Sequence, residues 1–227
     1  MTYEGASAKG YLAIVLHAHL PYVRHPEHED SLEENWLYEA ITDTYIPILT
    51  VLEDLVRDGV DFRLTLSLTP TLSSMLLDPL LQNRYERRLT NLLDLAGKEI
   101  ARTQAKPALN RLARMYHGRL ERISDAYFHR YGKDLVRAFG NLQARGKVEI
   151  IASAATHGYL PVLSVNPAAV RAQVRVGVDH YRRLFGQRPR GFWLPECAYF
   201  PGVDNLLEEQ GIRYTILEAI GITRACP

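Results

Sequence analysis

Histidines and a carboxylate follow the apolar runs of this chain, where they could do chemistry together. His17 and His19 end the first apolar run, and alternate residues of an extended backbone point to the same face. His157 follows a later run, and Glu196 follows another, close to Trp193. Paired imidazoles could bind a metal or hydrogen-bond a polar substrate. A carboxylate among aromatic rings is typical of a nucleophile or acid/base in an enzyme that binds sugars.

These residues also have purely structural interpretations. His17 and His19 could be hydrogen-bonded polar residues at a strand edge, and Glu196 could stabilise the first turn of a following helix. Cys197 is better explained as a small buried hydrophobic residue than as a nucleophile. Glu218, after the last apolar run, is interpreted as a solvated loop residue. Residue types and spacing alone therefore leave the chemistry open.

The distribution of histidines favours one shared site. The chain has 8 histidines, and three of them fall at predicted strand ends. Those on helical stretches are interpreted as surface residues: His117, His129 and His180. After the second predicted strand, Thr69 and Pro70 offer no ionisable group.

The elements that must position these residues are alternating strands and helices. Strands are predicted over 11–16, 62–68, 148–152, 191–194 and 212–217, the first of them buried on both faces. A capping box of Ser31 and Glu34 predicts a helix up to Gly59, and further helices are predicted over 166–185 and 202–211. The stretch 80–146 is predicted to be helical, with breaks near Pro107 and Gly132, and is interpreted as an insertion. This alternation predicts an α/β fold with a mostly parallel sheet and chemistry at the carboxyl ends of its strands.

Composition excludes several classes of protein. With 27 basic and 26 acidic residues among 227, the net charge of +1 argues against nucleic-acid binding. The apolar runs are too short to cross a membrane, and the first ten residues lack a signal-peptide core. Two cysteines form no disulfide framework, so a cytoplasmic location is expected. The motifs of dinucleotide-binding, P-loop, zincin and α/β-hydrolase proteins are absent from the sequence.

Three segments together resemble the first three signature regions of glycoside hydrolase family 57. They are HAHLPY at 17–22, THGYLP at 156–161 and WLPECAY at 193–199. The segments EENWLYEAI at 33–41 and LTPTL at 68–72 resemble the 1,4-α-glucan branching enzymes of that family. The match spans nearly the whole chain, and three motifs in the expected order are far more specific than one.

The resemblance implies an incomplete (β/α)7 barrel, of the type shared by glycoside hydrolases and deacetylases, that acts on α-1,4-glucans by a retaining mechanism. It implies that Glu196 is the catalytic nucleophile. It also implies a sugar-binding set without metal or cofactor, in which three histidines line the donor subsite and two tryptophans lie beside it: His17, His19, His157, Trp36 and Trp193. The expected partners are amylose and glycogen, within glycogen synthesis, with neither nucleic acid nor membrane.

Two departures from the family pattern bear on the extent of the domain. The resemblance places the acid/base aspartate in a fourth, downstream region, which does not occur before Pro227. Five predicted strands are also too few to close a seven-stranded barrel. Residues 1–227 are therefore expected to be the N-terminal part of the catalytic barrel, with its insertion at about 80–146, and to be inactive in isolation.

Three alternatives remain open beside a branching enzyme. The same regions serve 4-α-glucanotransferases and α-amylases of the family. A metal-dependent polysaccharide deacetylase uses a related barrel with histidine and aspartate ligands, although Leu16 stands where that site needs a carboxylate. A non-catalytic glucan-binding remnant is the alternative outside enzymes. The sequence leaves the oligomeric state open.

Overall fold

One parallel sheet organises the chain. The computed structural model describes residues 10–223. Its five strands pair in the order in which they occur along the chain, each parallel to the next. They are β1 (Val15–Ala18), β2 (Leu64–Leu68), β3 (Val148–Ser153), β4 (Gly191–Trp193) and β5 (Tyr214–Thr215). The predicted α/β fold with a parallel sheet is confirmed, and the carboxyl ends of all these strands meet at one edge.

Helices fill the connections between the strands. Those of the first half are α1 (Glu34–Ala40), α2 (Ile46–Arg57), α3 (Pro70–Leu76), α4 (Pro79–Arg102) and α5 (Pro107–Asp125). Those of the second half are α6 (Leu135–Ala144), α7 (Leu160–Leu163), α8 (Pro167–Phe185), α9 (Val203–Glu209) and α10 (Ala219–Thr223). Single π-helical turns join α1 to α2 and extend α5. Within residues 10–223, no helix is both long and apolar enough to cross a membrane.

Most predicted elements lie where the sequence places them. The stretch 80–146 is helical, as α4, α5 and α6, with breaks at 103–106 and 131–134. The predicted helix over 166–185 is α8, and the Asn166 side chain caps it by accepting bonds from two backbone N–H groups. Three short helices were not predicted: α3, α7 and α10. Each follows a strand, and α3 begins two residues after β2 ends.

The predicted bounds of the first strand were wrong. It was expected over 11–16, buried on both faces, but β1 begins only at Val15 and continues through His17. Tyr11 is 96% exposed, and Leu12 and Ile14 are exposed as well. Pairing with β2 begins at Val15, so the apolar side chains before it lie outside the core.

The predicted capping box does not form. The helix begins at Glu34, and the preceding Glu33 makes no side-chain cap hydrogen bond. The Ser31 hydroxyl instead donates to the Glu33 carboxylate at 2.6 Å. The reason is that the Glu34 side chain, which would complete the box, turns into the protein and is 1% exposed.

A buried ion pair holds the loop that follows β1. Arg84 Nη1 on α4 donates to Glu34 Oε1 at 2.5 Å, and the same guanidinium also bonds the backbone carbonyls of His25 and His28. Glu34 further accepts bonds from the His25 N–H and the Tyr38 hydroxyl. Burial alone raises the pKa of Glu34, but these donors outweigh it and hold the pKa below its ordinary value.

The two faces of the sheet differ in character. Alternate residues of a strand point to opposite faces, so one face carries the apolar set Leu66, Leu68, Ile150, Ala152 and Phe192, which packs in the hydrophobic core. The opposite face carries the mainly polar set Thr65, Ser67, Thr69, Glu149 and Ser153, together with the apolar side chains of Ile151 and Trp193. The core therefore holds the strands rigid while the polar face is free for a site.

Helix α8 approaches the end of β3 so closely that only glycine fits. A Cβ atom built on Gly177 would lie 2.0 Å from the Ser153 carbonyl oxygen, which belongs to the backbone and cannot move aside. We therefore expect Gly177→Ala to lower the free energy of unfolding by about 2 kcal/mol, measured by urea denaturation, because the helix must shift outward.

The matched control is Gly97→Ala on α4. A Cβ there meets nothing nearer than His117 Nε2 at 4.0 Å, so alanine should raise stability by about 0.5–1 kcal/mol. Equal stabilities for the two variants would contradict the close approach of α8 to β3.

Candidate active site

Four aromatic rings stack at the carboxyl edge of the sheet, and we call His17, His19, His157 and Trp193 the ring stack. The His19 and His157 ring centroids are 3.8 Å apart, and those of His17 and Trp193 are 4.3 Å apart with an interplanar angle of 10°. His17 also lies 5.0 Å from His157. Residues 17, 157 and 193 are far apart in sequence, so the parallel strand order is what brings them together.

Two threonines, one at the N-cap of α3 and one in its first turn, anchor His19. Its Nδ1 lies 3.1 Å from the Thr69 hydroxyl and 3.3 Å from that of Thr71. Thr69 is completely buried and caps α3 by accepting a bond from the Leu72 N–H. Sequence reasoning set Thr69 aside because it cannot ionise. The signal that could have identified it is Thr-Pro directly after a strand, which is typical of a helix start and so of a fixed side chain.

Ser153 anchors the other side of the ring stack. Its hydroxyl donates to the Trp193 carbonyl at 2.9 Å, which ties the end of β3 to the end of β4. The same oxygen lies 3.3 Å from His157 Nδ1, and His157 has a left-handed φ of 55°. The His157 ring is thus fixed by one hydrogen bond and by its packing against His19.

Glu196 stands on a strained turn beside the ring stack. It has φ 58° and ψ 25°, and Cys197 follows with φ 53°, so two consecutive non-glycine residues are left-handed. Such strain costs about 1–3 kcal/mol for each residue and is characteristic of functional sites. The Glu196 side chain is 75% exposed, yet its Oε1 lies 3.8 Å from His157 Nε2. The strained turn therefore presents an accessible carboxylate at the edge of the rings.

Two buried nitrogens of the ring stack lack partners. Within residues 10–223, neither His157 Nε2 nor Trp193 Nε1 has a hydrogen-bond partner. A buried polar atom without a partner costs about 1–3 kcal/mol, which favours a ligand that supplies the missing bond. Both atoms lie in a site with an accessible carboxylate, so a hydroxyl-rich ligand matches the arrangement.

Burial keeps the ring-stack histidines neutral. Desolvation, with the neighbouring His19, lowers the pKa of His17 to about 4. Desolvation, with His19 and His17, lowers the pKa of His157 to about 3. Burial also lowers the pKa of His19, against an opposing effect of the Glu196 carboxylate. A neutral imidazole can both donate and accept a hydrogen bond, so near neutral pH these rings can bind hydroxyl groups without metal.

These shifts predict a pH dependence of stability. The unfolded chain binds protons at histidine below about pH 6.5, whereas folded His17 and His157 do so only near 4 and 3. Unfolding therefore takes up protons in this window, and the free energy of unfolding should fall as the pH is lowered from about 6.5 toward 4. Urea unfolding of the wild type and of a His17→Asn/His157→Asn variant measures the contribution. An identical pH dependence for both proteins would contradict the shifts.

The ring faces, rather than the ring nitrogens, are turned toward one another. In the part of the chain that the structure describes, no group of three or more histidine, cysteine, aspartate or glutamate side chains has the geometry of a metal site. The arrangement therefore suits stacking and hydrogen bonding to a polar ligand better than the histidine ligand set that a deacetylase requires.

Other residues considered in the sequence lie outside the ring stack. Trp36 is half-exposed on α1 and, among residues 10–223, makes no ring contact with the stack. Cys197 is partly exposed, and burial first, then the carboxylates of Glu218 and Glu196, raises the pKa of its thiol. Glu218 is exposed, as expected for a solvated loop residue.

The interpretation of His180 as a surface residue was wrong. Its ring is partly buried between α8 and α3, and Nε2 lies 2.8 Å from the Ser73 hydroxyl. Helical periodicity cannot distinguish a surface histidine from one that bonds a neighbouring helix, because the contact spans 107 residues of sequence.

The chain matches a known family over almost its full length. The model of glycosyl hydrolase family 57 matches residues 13–224. A 1,4-alpha-glucan branching enzyme of Thermococcus kodakarensis is 36% identical, over 93% of this chain and 33% of the relative. The chain thus spans about a third of the length of that relative.

Two solved structures have the same fold. The alpha-amylase AmyC from Thermotoga maritima is 42% identical with a TM-score of 0.86, over 90% of this chain and 39% of that one. A branching enzyme of the same family from Pyrococcus horikoshii is 36% identical with a TM-score of 0.85, over 92% of this chain and 42% of that one. The family model covers nearly the whole chain and the solved structures share its fold, so the chain belongs to glycosyl hydrolase family 57.

Proposed function

We propose that this chain is the nucleophile-bearing part of a 1,4-α-glucan branching enzyme. The observation that carries the proposal is the accessible Glu196 carboxylate, 3.8 Å from His157 Nε2 beside a stack of neutral imidazoles. Two relatives named as branching enzymes, each 36% identical to this chain, support transfer as the reaction. The substrates are α-1,4-glucans such as amylose and glycogen.

The reaction proceeds by double displacement. A Glu196 carboxylate oxygen attacks the anomeric carbon of an α-1,4-linked glucose, and the bond from that carbon to the leaving 4-oxygen breaks. A second carboxyl group, about 5–5.5 Å from the nucleophile, gives its proton to the leaving oxygen. A glucan 6-hydroxyl then attacks the glycosyl-enzyme, returns its proton to that second group and releases Glu196. The second carboxylate is supplied from outside residues 1–227 in this proposal.

The ring stack binds the donor sugar. His17, His19 and His157 are neutral near pH 7 and exchange hydrogen bonds with sugar hydroxyls, while the unpartnered Trp193 Nε1 adds a donor. Trp36, half-exposed on α1, offers an aromatic face to a more distant part of the glucan. No metal or cofactor takes part in these steps.

The architecture belongs to the same proposal. Parallel strands in sequence order form part of a (β/α)7 barrel, with the helical stretch 80–146 as an insertion between β2 and β3. The protein acts in the cytoplasm, in glycogen synthesis. In this proposal residues 1–227 alone do not carry out glucan transfer, because the acid/base region is not among them.

Hydrolysis is the second candidate, because a solved α-amylase shares 42% identity with this chain. The two reactions differ only in what resolves the glycosyl-enzyme: a glucan hydroxyl gives a branch, and water gives a new reducing end. The same Glu196 and ring stack serve both, so the product decides between them.

The test is a chimera in which this chain replaces the matching third of the Thermococcus kodakarensis enzyme. Incubated with amylose, it should form α-1,6 linkages, measured by proton NMR and by chain lengths after debranching. A rise in reducing ends without new α-1,6 linkages would replace the branching proposal with hydrolysis. If a folded chimera formed neither product, both the branching and the hydrolysis proposals would be overturned.

A further inference from the structure

A buried hydrogen-bond network around His180 lies outside the residues assigned to glucan binding. His180 on α8 projects toward α3, where its Nε2 lies 2.8 Å from the Ser73 hydroxyl. Its Nδ1 lies 2.9 Å from Arg183 Nη2. Ser73 is 1% exposed, so the bond to His180 is made in the interior.

The partners of His180 determine where its proton lies. Arg183 can only donate, so Nδ1 must accept. The Ser73 hydroxyl donates to the Thr69 carbonyl at 2.9 Å, with the Pro70 carbonyl at 3.2 Å, so its oxygen must accept from His180. His180 is therefore neutral, with its proton on Nε2. Burial, and then Arg183, lowers its pKa to about 4, which agrees with this assignment.

The bonds form one path from α8 to the ring stack. It runs from Arg183 through His180 and Ser73 to the backbone of Thr69, whose hydroxyl lies 3.1 Å from His19 Nδ1. Thr69 is completely buried. Its position is therefore set by its partners rather than by solvent, and a shift of its backbone would move the hydroxyl that anchors His19.

We propose that His180 is a positioning residue: through Ser73 it fixes the β2–α3 turn, and Thr69 in that turn fixes the His19 ring in the stack. The role requires one donor toward Ser73 and one acceptor toward Arg183, rather than an imidazole as such. A glutamine amide supplies one of each, whereas leucine supplies neither. The consequence for glucan binding rests on the proposed function, but the position of His19 does not.

The experiment compares variants of the whole 227-residue chain by NMR and by maltoheptaose binding. In His180→Leu and in Ser73→Ala, the His19 ring resonances should shift or broaden, and maltoheptaose should bind about fivefold more weakly. In His180→Gln, the His19 resonances and the affinity for maltoheptaose should both return toward their wild-type values. The matched control is His117→Leu, since His117 pairs with Glu121 on α5 and has no bond to this path.

The outcomes separate the inference from the proposed function. Unchanged His19 resonances in folded His180→Leu and Ser73→Ala would overturn the positioning role. Failure of His180→Gln to restore them, in a folded variant, would also overturn it, because side-chain volume rather than hydrogen bonding would then matter. A wild-type chain that binds no maltoheptaose would count against the proposed function, while the His19 resonances would still decide the role of His180.

Discussion

Glu196→Gln is expected to lower glucan transfer at least about 10⁴-fold, because an amide cannot form the glycosyl ester through which both half-reactions pass. The substitution keeps the size of the side chain and the left-handed turn that carries it. The measurement is the rate of α-1,6 linkage formation by the chimera described above, made with and without the substitution. Circular dichroism of the two proteins establishes that both are folded.

Glu218→Gln is the matched control for the loss of a carboxylate. Glu218 lies near Cys197 but is exposed and has no role in the proposed reaction. Its amide variant should retain most of the wild-type rate. A Glu196→Gln enzyme that kept a rate close to that of Glu218→Gln would remove Glu196 from the nucleophile role.

Arg84→Met is expected to be the most destabilising single change outside the site, by about 3–5 kcal/mol. It leaves the Glu34 carboxylate buried without its cation, and it frees the carbonyls of His25 and His28. The pair has side chains only 9% and 1% exposed, so water cannot replace the lost bonds. Urea denaturation measures the change in the free energy of unfolding.

Two comparisons make the Arg84 prediction specific. Arg88→Met breaks a more exposed pair with Glu39, whose atoms are 3.4 Å apart, and one hydrogen bond to the Asn35 side chain, and it should cost about 1 kcal/mol. An Arg84→Met/Glu34→Leu protein removes both charges and should recover the part of the loss that comes from the unpaired carboxylate, but not the part that comes from the bonds to the loop backbone and to Tyr38. If Arg84→Met cost no more than Arg88→Met, the buried pair would not hold the loop after β1.

The strands and the parallel sheet could be predicted because apolar runs and breaks report directly on burial, whereas the strand order is seen only in the structure. Runs around residues 64–68 and 148–152 became β2 and β3, and the breaks near Pro107 and Gly132 separate real helices. The first strand failed because the apolar residues 11–14 look like a buried strand, while in the structure the exposed side chains of Tyr11 and Leu12 lie outside the core. Hydropathy reports what a residue could bury, not whether a partner covers it.

The site could be predicted only in part, for a different reason. His17, His157 and Glu196 follow apolar runs, and a parallel sheet brings such strand ends together. Their partners Thr69 and Ser153 contribute through hydroxyls whose neighbours are distant in sequence, so no local pattern identifies them.

The backbone of the site was not predictable from residue types either. A positive φ is usually predicted only at glycine, yet Glu196 and Cys197 both have a positive φ. Such strain persists only where the surrounding structure imposes it. The WLPECAY segment, which resembles a signature region of the family, marks this position, whereas the backbone propensities of its residues do not.

The central claim is that Glu196 is a nucleophile presented to a sugar, and covalent trapping tests it most directly. An α-maltotriosyl fluoride donor needs no general acid because fluoride leaves without a proton, so the 227-residue chain itself can be used. Mass spectrometry of the intact chain and of its peptides should find one maltotriosyl group, attached to Glu196 and absent from Glu196→Gln. A chain that stays unmodified at saturating donor, or carries the sugar on another residue such as Cys197, would contradict the account.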